Sequence, residues 1–462
     1  MSNYNFHSIN RSQTYLLPPD LKEWLPEGDL SWFILDATEQ MDLKAFYRKY
    51  RTDGQGNTAY DPAMMVSLLL YAYCLGIRSS RKIEQMCTRD IGFRVIAANQ
   101  DPDHSTIARF RQGNEKELAD IFTQVLRLCA EAGLIKVGLV AIDGTKLKAN
   151  ASLAANRRYS SIEKEVKHIL EEAAAKDAEE DRLYGPDKRG DEIPEELKDR
   201  QKRLVRLREA KKRLEQEAAE VAAEQEEKIR RREEEERERG RKKRGRKPKP
   251  AYKKVPPEEK ANITDPESRI MKTHAGYVQG YNAQAVVTKE QIIIAADITQ
   301  EENDVHQLHP MLDQAQNELL TIGVEGQIDV ALADAGYWSE ANIQNAEPEG
   351  PELLVATKKN WKQRKAFREK GSPRGRIPKD ISPRDRMERK LRTKHGWDLY
   401  RQRGWMVEGV IGQTKQVRDC GSLMRRGCEA SKSEWRLIAA THNLLKLWRS
   451  TQAGGIAIKV MN

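Results

Sequence analysis

The fold is decided by residues 137–150, VGLVAIDGTKLKAN, where an apolar run ends on a carboxylate. Four of the first six residues are apolar, which favours a buried strand, and Asp143 follows directly, before a Gly-Thr turn. Residues 328–337, IDVALADAGY, repeat this pattern around Asp334. Because ligands of open sheets bind beyond the carboxyl ends of the strands, we expect both acids to face one site.

A third acid is predicted at Glu408. Residues 404–415, GWMVEGVIGQTK, favour a helix in which this glutamate points into an apolar neighbourhood, which an unpaired glutamate rarely does without a functional reason. Lys415, seven residues after Glu408, and Arg401, seven before it, share its helical azimuth. We therefore expect all three side chains to face one substrate.

The chemistry of such a site follows from its ligand types. Neighbouring carboxylates repel each other, so their pKa values rise unless a cation neutralises them. Oxygen ligands without His or Cys support suit a hard ion, Mg²⁺ or Mn²⁺. Three carboxylates that hold two such ions describe machinery for in-line attack at a phosphodiester.

Other candidate ligands have weaker patterns. Asp297, which ends the run IIIAAD, and Asp329 are alternative second acids, but Asp297 lacks the small-Gly-aromatic turn that follows Asp334. His306 and His309 are three residues apart with no third nitrogen or sulfur ligand nearby, which favours a helix surface or core over a metal site.

The charge distribution predicts an anionic partner. The net charge is +10, and residues 358–403 contain 18 Lys and Arg against 5 Asp and Glu, a density that fits a phosphate backbone. A solvated surface is the alternative. Five scattered cysteines without a CxxC pair, and no signal-like or membrane-spanning run, favour a cytoplasmic location.

Residues 1–130 are predicted to be helical and to bind DNA. The segments SSRKIEQMC and STIARFRQ could form a helix-turn-helix, whose second helix would point Arg109 and Arg111 outward. The alternative is an ordinary helical bundle with surface arginines.

Residues 153–260 change character and predict a charged helical hairpin with a thin apolar seam, a disordered tract being the alternative. The hairpin ends in RKKRGRKPKP, residues 241–250. Arg244 and Arg246 suit an extended arm in a narrow minor groove or plain attraction to phosphates.

These elements and motifs resemble the DDE transposases of bacterial insertion sequences. DGT at 143–145 matches the first acid, DAGY at 334–337 the second, and Tyr400, an Arg, Glu408 and Lys415 match the C-terminal Tyr-Arg-Glu-Lys pattern. The charged insertion and the helical N-terminal region point to the insertion-sequence family numbered eleven eighty-two. The resemblance implies an α/β fold, a ribonuclease-H-like mixed sheet with flanking helices, preceded by the all-α region and split by the inserted hairpin.

The resemblance also implies an activity: cleavage at element ends and strand transfer into double-stranded target DNA, dependent on Mg²⁺ or Mn²⁺. Asp143, Asp334 and Glu408 would bind the metal, Lys415 would contact a phosphate, and Tyr400 would help to position it. A homodimer in a synaptic complex and a nucleoid-associated cytoplasmic location are expected. One departure stands out, because Gly404 occupies the position of the pattern's Arg, leaving Arg403 or Arg401 for its role.

The predicted organisation is a DNA-binding region at 1–130, a catalytic domain formed by 131–152 and 261–450, and the insertion at 153–260. Two rival functions remain open at this stage. One is a metal-dependent nuclease that cuts without joining, and the other is a catalytically retired DNA-binding scaffold.

Overall fold

The apolar run that ends on Asp143 forms a central strand of a mixed sheet in the computed structural model. The structure describes the backbone of the residues given in the next sentence, and it describes their side chains as well except at 22 and 172–200. The residues that the structure describes are 20–50, 58–184, 195–242, 250, 254–273, 275–346, 350–358, 366, 369, 371–378 and 380–454.

Six strands form the main sheet, and two short ones pair separately. The strands of the described residues are β1 (Leu139–Lys148), β2 (Asn156–Arg158), β3 (Lys260–Asn262), β4 (Arg269–Thr273), β5 (Gly276–Thr288), β6 (Ile293–Thr299), β7 (Val330–Ala333) and β8 (Glu352–Val355). β1 lies between β5, which is antiparallel to it, and β7, which is parallel. β5 also pairs with β4 and β6, and β7 pairs in parallel with β8.

The register of β1 and β7 brings the two predicted acids side by side where β7 ends, and this carboxyl-terminal side of the sheet is called the sheet edge below. Ile142 lies opposite Ala333, so Asp143 and Asp334 are the next residues along the two chains. β7 ends at Ala333, but β1 continues to Lys148 in its ladder with β5, so the prediction of a Gly-Thr turn directly after Asp143 is wrong. Both strands are buried up to that point, since Val140, Ala141 and Ile142 are fully inaccessible to solvent. The buried hydrophobic residues of the two strands thus determine the positions of the carboxylates that follow them.

Helices pack against this sheet around the acids. Helix α10 (Leu308–Thr321) packs on β5 and β6. The site helix, residues 404–417, is built of a π-helical turn (Gly404–Glu408), an α-helical turn (Gly409–Gly412) and a second π-helical turn (Gln413–Val417). The C-terminal helix, Cys428–Gln452, donates a hydrogen bond of 2.9 Å from Trp435 Nε1 to the carbonyl of Gln284 in β5.

The N-terminal residues are helical, as the sequence pattern indicates. The helices are α1 (Leu30–Glu39), α2 (Lys44–Tyr47), α3 (Pro62–Cys74), α4 (Ser80–Arg89), α5 (Ile91–Ile96), α6 (His104–Gly113) and α7 (Glu115–Glu131). Asp61 caps α3 through the amides of Ala63 and Met64, with Pro62 at the first helical position. Because α5 lies between α4 and α6, these two helices are not joined by the short turn of a helix-turn-helix.

The charged insertion contains two long helices, α8 (Tyr159–Tyr184) and α9 (Glu195–Glu238). They meet in a small apolar cluster at the base of the insertion, formed by Ile162, Leu207, Ala210, Leu214 and Ala261. Lys211 interrupts the apolar seam, but its ammonium group pairs with Glu163 at 3.0 Å and lies 5.7 Å from the ring centre of Tyr159. The charge of Lys211 is therefore paired at the surface of the apolar cluster.

The chain divides into two compact units. One comprises Met1–Ile135 together with Leu437–Asn462, and the other comprises Lys136–Arg436, which includes the sheet and the insertion. Among the helices that the structure describes, none combines the length and apolar character needed to cross a membrane.

Candidate active site

Arg403 bridges Asp143 and Asp334. Its Nη2 atom lies 3.4 Å from Oδ2 of Asp143 and 3.9 Å from Oδ2 of Asp334. The guanidinium side chain is only 11% exposed, while the Asp143 and Asp334 side chains are 17% and 31% exposed. The sheet edge therefore holds two carboxylates around one nearly buried cation, and charges interact strongly in such a desolvated place.

One guanidinium does not neutralise this edge. Burial raises the pKa of Asp143 to about 7, and the nearby charges of Asp334 and Asp304 add to the effect. The positive charge of Arg403 and the amide of Gly144, which donates to Asp143 Oδ1 at 2.9 Å, act in the opposite direction without cancelling it. Further positive charge at this edge would be stabilised.

A π-helical turn accounts for the extra residue between Arg403 and Glu408. An α-helix brings residues four apart onto one face, whereas a π-helical turn closes a ring between residues five apart. Gly404–Glu408 adopts the π-helical form, so Arg403 and Glu408 occupy successive turns of one face despite their longer spacing. The inserted residue is absorbed locally and does not rotate Glu408 away.

Glu408 contributes to the charge around Arg403. Burial alone would lower the pKa of Arg403, but the negative charges of Asp143, Asp334 and Glu408, with Tyr400, reverse this and raise it. The Glu408 side chain itself is exposed, while Met406, Val407 and Val410 around it in sequence are buried. The prediction that this glutamate points into an apolar neighbourhood is wrong, because its neighbours face the core and it faces solvent.

The remaining residues of the C-terminal pattern also lie at the sheet edge. The Tyr400 hydroxyl donates to the carbonyl of Ala333, the residue before Asp334, at 3.3 Å. The Lys415 ammonium group donates to Thr145 Oγ1 and to the carbonyl of Lys146, both at 3.0 Å. Tyr400 therefore contacts the end of β7, and Lys415 contacts β1 shortly after Asp143.

Arg401 has a different environment from Arg403. Its Nε lies 3.6 Å from Oδ1 of Asp398 in an exposed pair, and its side chain is 63% exposed. Of the two arginines that the sequence leaves open, Arg403 is the one that contacts the acids.

The donor set at this edge suits a hard cation, because it consists of carboxylates alone. Within the described part of the chain, however, no group of three or more His, Cys, Asp and Glu side chains converges tightly enough to hold a metal ion. Asp143 and Asp334 meet through Arg403, and Glu408 lies on the site helix beside that arginine.

The alternative acids lie in other environments. Asp297 pairs with Lys432, whose Nζ is 2.9 Å from Oδ1 of the aspartate. Asp329 is exposed at the start of the strand that ends before Asp334. His309 Nε2 lies 2.9 Å from the carbonyl of Asn342, a backbone contact and not a metal-ligand set.

The predicted DNA-contacting arginines have mixed outcomes. Arg109 is exposed, and its guanidinium donates to the carbonyl of Ser105 at 3.4 Å. The prediction that Arg111 faces outward is wrong: it is buried, and its guanidinium donates to Ser80, to the carbonyl of Arg78 at 2.8 Å and to the Tyr73 hydroxyl at 3.2 Å. Arg244 and Arg246 lie outside the described residues.

Sequence reasoning missed one acid beside the site. Asp304 acts electrostatically on Asp143, and its Oδ1 lies 3.8 Å from Nζ of Lys146. It follows β6 in the polar segment EENDVHQ, where no apolar run precedes it, so the pattern that identifies Asp143 and Asp334 has no counterpart there.

Two protein-family models match the chain. The model described as a transposase domain (DUF772) matches residues 19–113, and the model described as a transposase DDE domain matches residues 254–444. No curated protein and no solved structure shows significant similarity to the chain.

Proposed function

Because the chain belongs to the insertion-sequence DDE transposases, which cut and join DNA, we propose that Asp143, Asp334 and Glu408 are its catalytic carboxylates. The observation that carries this proposal is the convergence of Asp143 and Asp334 on Arg403, with Glu408 one π-helical turn further along. The family numbered eleven eighty-two remains our more specific assignment.

The sheet supports a ribonuclease-H-like catalytic domain. In the order β6, β5, β1, β7 and β8, the first three strands alternate in direction and the last three are parallel. We assign this domain to residues 131–152 and 261–450, the charged insertion to 153–260 and the DNA-binding region to 1–130. The insertion enters after the first strand of the domain.

The carboxylates would bind Mg²⁺ or Mn²⁺, which is the divalent-metal dependence that a DDE domain implies. When bound, such ions activate the attacking oxygen and stabilise the leaving oxygen of a phosphodiester. Arg403 supplies the positive charge that keeps Asp143 and Asp334 together, and Glu408 lies beside it to join them.

Lys415 and Tyr400 would position the DNA. Lys415 is held against β1 by Thr145 and by the carbonyl of Lys146, shortly after Asp143 in the strand, and would offer its positive charge to a phosphate of the cut strand. Tyr400 fixes the site helix region to the end of β7 through Ala333. Both groups orient the scissile phosphodiester without forming a covalent bond to it.

The basic residues and the N-terminal region would bind the rest of the DNA. The stretch 358–403 has the charge to follow a phosphate backbone, and Arg109 presents an exposed cation on α6. We infer a homodimer that pairs two element ends in a synaptic complex, and a nucleoid-associated location in the cytoplasm. Arg244 and Arg246 would add contacts from the arm that follows the hairpin.

The test is cleavage of DNA that carries the element end, with Asp143→Asn, Asp334→Asn and Glu408→Gln made separately. Each variant is expected to bind DNA with the affinity of the parent protein and to lose strand cleavage. Asp329→Asn, at an exposed acid of the strand that leads to Asp334, serves as the matched control and should cleave normally. Near-normal cleavage by one site variant would remove that residue from the catalytic set.

A second substrate separates joining from cutting alone. A pre-cleaved end with a free 3′-hydroxyl should be joined to target DNA by the parent protein and not by the three variants. Cleavage without any joined product would indicate a nuclease, and DNA binding with neither reaction would indicate a retired scaffold. No observation in the structure favours either rival over the transposase.

A further inference from the structure

A carboxylate fills the space beside the glycines of both acid motifs. A Cβ atom added to Gly144 would collide with Asp304 Oδ1 and with Gln284 Nε2. A Cβ added to Gly336 would lie 3.1 Å from Asp304 Oδ2 and 2.8 Å from Asp334 Oδ1. Neither glycine has a positive φ, so close packing, and not backbone conformation, accounts for the absence of a side chain at both positions.

Buried polar groups hold this carboxylate in place. Asp304 Oδ1 accepts hydrogen bonds from Asn282 Nδ2 at 2.7 Å and from Gln284 Nε2 at 2.8 Å. Gln284 and Asn282 are fully buried in β5, and Gln284 lies directly opposite Gly144 across the β1–β5 ladder. The carboxylate is therefore anchored to β5, the strand that pairs with the DGT segment of β1.

The same chain of hydrogen bonds reaches the second motif. The hydroxyl of Tyr337, the last residue of DAGY, donates to Gln284 Oε1. Tyr337 is fully buried, and burial raises the pKa of its hydroxyl well above the ordinary value, so the group remains a donor. A continuous path thus runs from Tyr337, in the turn after Asp334, through Gln284 to Asp304, which lies beside Gly144 of β1.

We propose that Asp304 is a positioning residue that fixes the separation between the DGT segment of β1 and the turn after Asp334 through Gln284 and Tyr337, so that Asp143 and Asp334 converge on one divalent cation. This inference rests on the proposed function. The Gln284 amide is partnered at both ends, by Tyr337 and by Asp304, and such a buried link is rigid because each broken bond leaves a desolvated group. Outer groups of this kind change metal affinity or activity by about 10- to 100-fold when they are removed.

The contacts of its two carboxylate oxygens indicate that Asp304 positions other residues and does not itself bind the metal. Its Oδ1 is shared by two amide donors, with Lys146 Nζ at 3.8 Å, and its Oδ2 faces the Cα of Gly336. The carboxylate is thus engaged by β5 on one side and lies against Gly144 of β1 and Gly336 of the turn after Asp334. Its influence on the cation would pass through the placement of Asp143 and Asp334.

The experiment measures Mn²⁺ binding to the full chain by calorimetry, without DNA, for the parent protein, Asp304→Ala and Tyr337→Phe. We expect Asp304→Ala to weaken Mn²⁺ binding by about 10- to 100-fold. Tyr337→Phe deletes one hydroxyl and should weaken it by about five-fold, the value of one hydrogen bond. Asp313→Asn, at an exposed acid of α10, is the control and should bind as the parent does.

A kinetic readout separates positioning from a general loss of structure. Cleavage by Asp304→Ala should need a higher Mn²⁺ concentration for half its maximal rate and should recover at high Mn²⁺, while DNA affinity stays unchanged. Parent-like Mn²⁺ affinity in a folded Asp304→Ala protein would overturn the inference. If that protein does not fold, Tyr337→Phe decides, and parent-like Mn²⁺ affinity there has the same meaning. Failure of the parent protein itself to bind Mn²⁺ would instead overturn the proposed function.

Discussion

Asp143→Asn should make the metal-free protein more stable at alkaline pH. Burial raises the pKa of Asp143 from 3.8 to about 7, so the folded state binds this proton more tightly than the unfolded state does. The ionised carboxylate therefore lowers the free energy of unfolding, fully above pH 7 and not at all below the ordinary pKa. Asparagine keeps the shape of the side chain and carries no charge at any pH.

The magnitude follows from the size of the shift. A difference of about three pKa units corresponds to about 4 kcal/mol at 1.36 kcal/mol per unit. The gain from Asp143→Asn should thus approach about 4 kcal/mol at pH 8 and fall to about 1.5 kcal/mol at pH 5, where the folded state is protonated and the unfolded state largely ionised. These values are upper bounds, since local relaxation and water entry reduce the penalty.

The assay is urea unfolding with EDTA present, at pH 8 and at pH 5, read from the transition of the unit that holds Lys136–Arg436. Asp313→Asn is the matched control and should change the free energy of unfolding by less than about 0.5 kcal/mol at both pH values. An equal gain at the two pH values, or none at pH 8, would refute the assignment of the penalty to the buried charge. Adding Mg²⁺ should stabilise the parent protein and not the variant, because only the parent presents both carboxylates to the cation.

Three further predictions concern the arginines and the π-helical turn. Deleting Gly404 should convert that turn to an α-helical one and keep cleavage within about ten-fold, whereas inserting an alanine there should rotate Glu408 by about 100° and abolish cleavage. Arg403→Gln should lower the free energy of unfolding by about 3 kcal/mol at pH 8 without metal, since it leaves two facing carboxylates unpaired, and Mg²⁺ should restore part of it. Arg111→Met should lower the thermal midpoint without a specific loss of DNA affinity, whereas Arg109→Met should weaken DNA binding and leave the midpoint unchanged.

The strands that carry Asp143 and Asp334 could be predicted because a buried parallel pair has a strong local pattern. Each is an apolar run that a carboxylate follows at the point where the parallel pairing stops, and this pattern can be recognised in the sequence alone. The continuation of β1 beyond Asp143 could not be predicted in this way, because its residues are polar and include a glycine. The adjacency of the two acids then follows from the register of β1 and β7. The match of residues 254–444 to a transposase DDE domain confirms the family resemblance, and that segment contains DAGY and the C-terminal pattern.

The choice between Arg401 and Arg403 could not be made from periodicity. A regular α-helical repeat places Arg401 on the face of Glu408, and only the π-helical turn brings Arg403 there instead. Nothing in the spacing of apolar residues marks such a turn, because it changes the backbone ring size and not the hydrophobic pattern.

Arg111 and Asp304 were misjudged or missed for a related reason. Arginine on a helix is usually exposed, and the acceptors that bury Arg111 come from residues some thirty positions earlier in the chain, at Arg78 and Ser80. The position of Asp304 depends on side-chain amides of β5 and on glycines of two other segments. Such partners are defined by tertiary packing, which one sequence does not display.

The short ladder at the foot of the insertion has a consequence for how the chain can tolerate change. β1 and β5 are neighbours in the sheet, yet the whole hairpin separates them along the chain. Asn156 pairs with Asn262 and Arg158 pairs with Lys260, and this short ladder closes the insertion at its base. Once the ladder has formed, the entropy cost of bringing β1 and β5 together no longer depends on the length of the hairpin outside it. The outer hairpin is thus free to lengthen, shorten or diverge over evolutionary time, while the geometry of the strands that bear the acids is inherited intact.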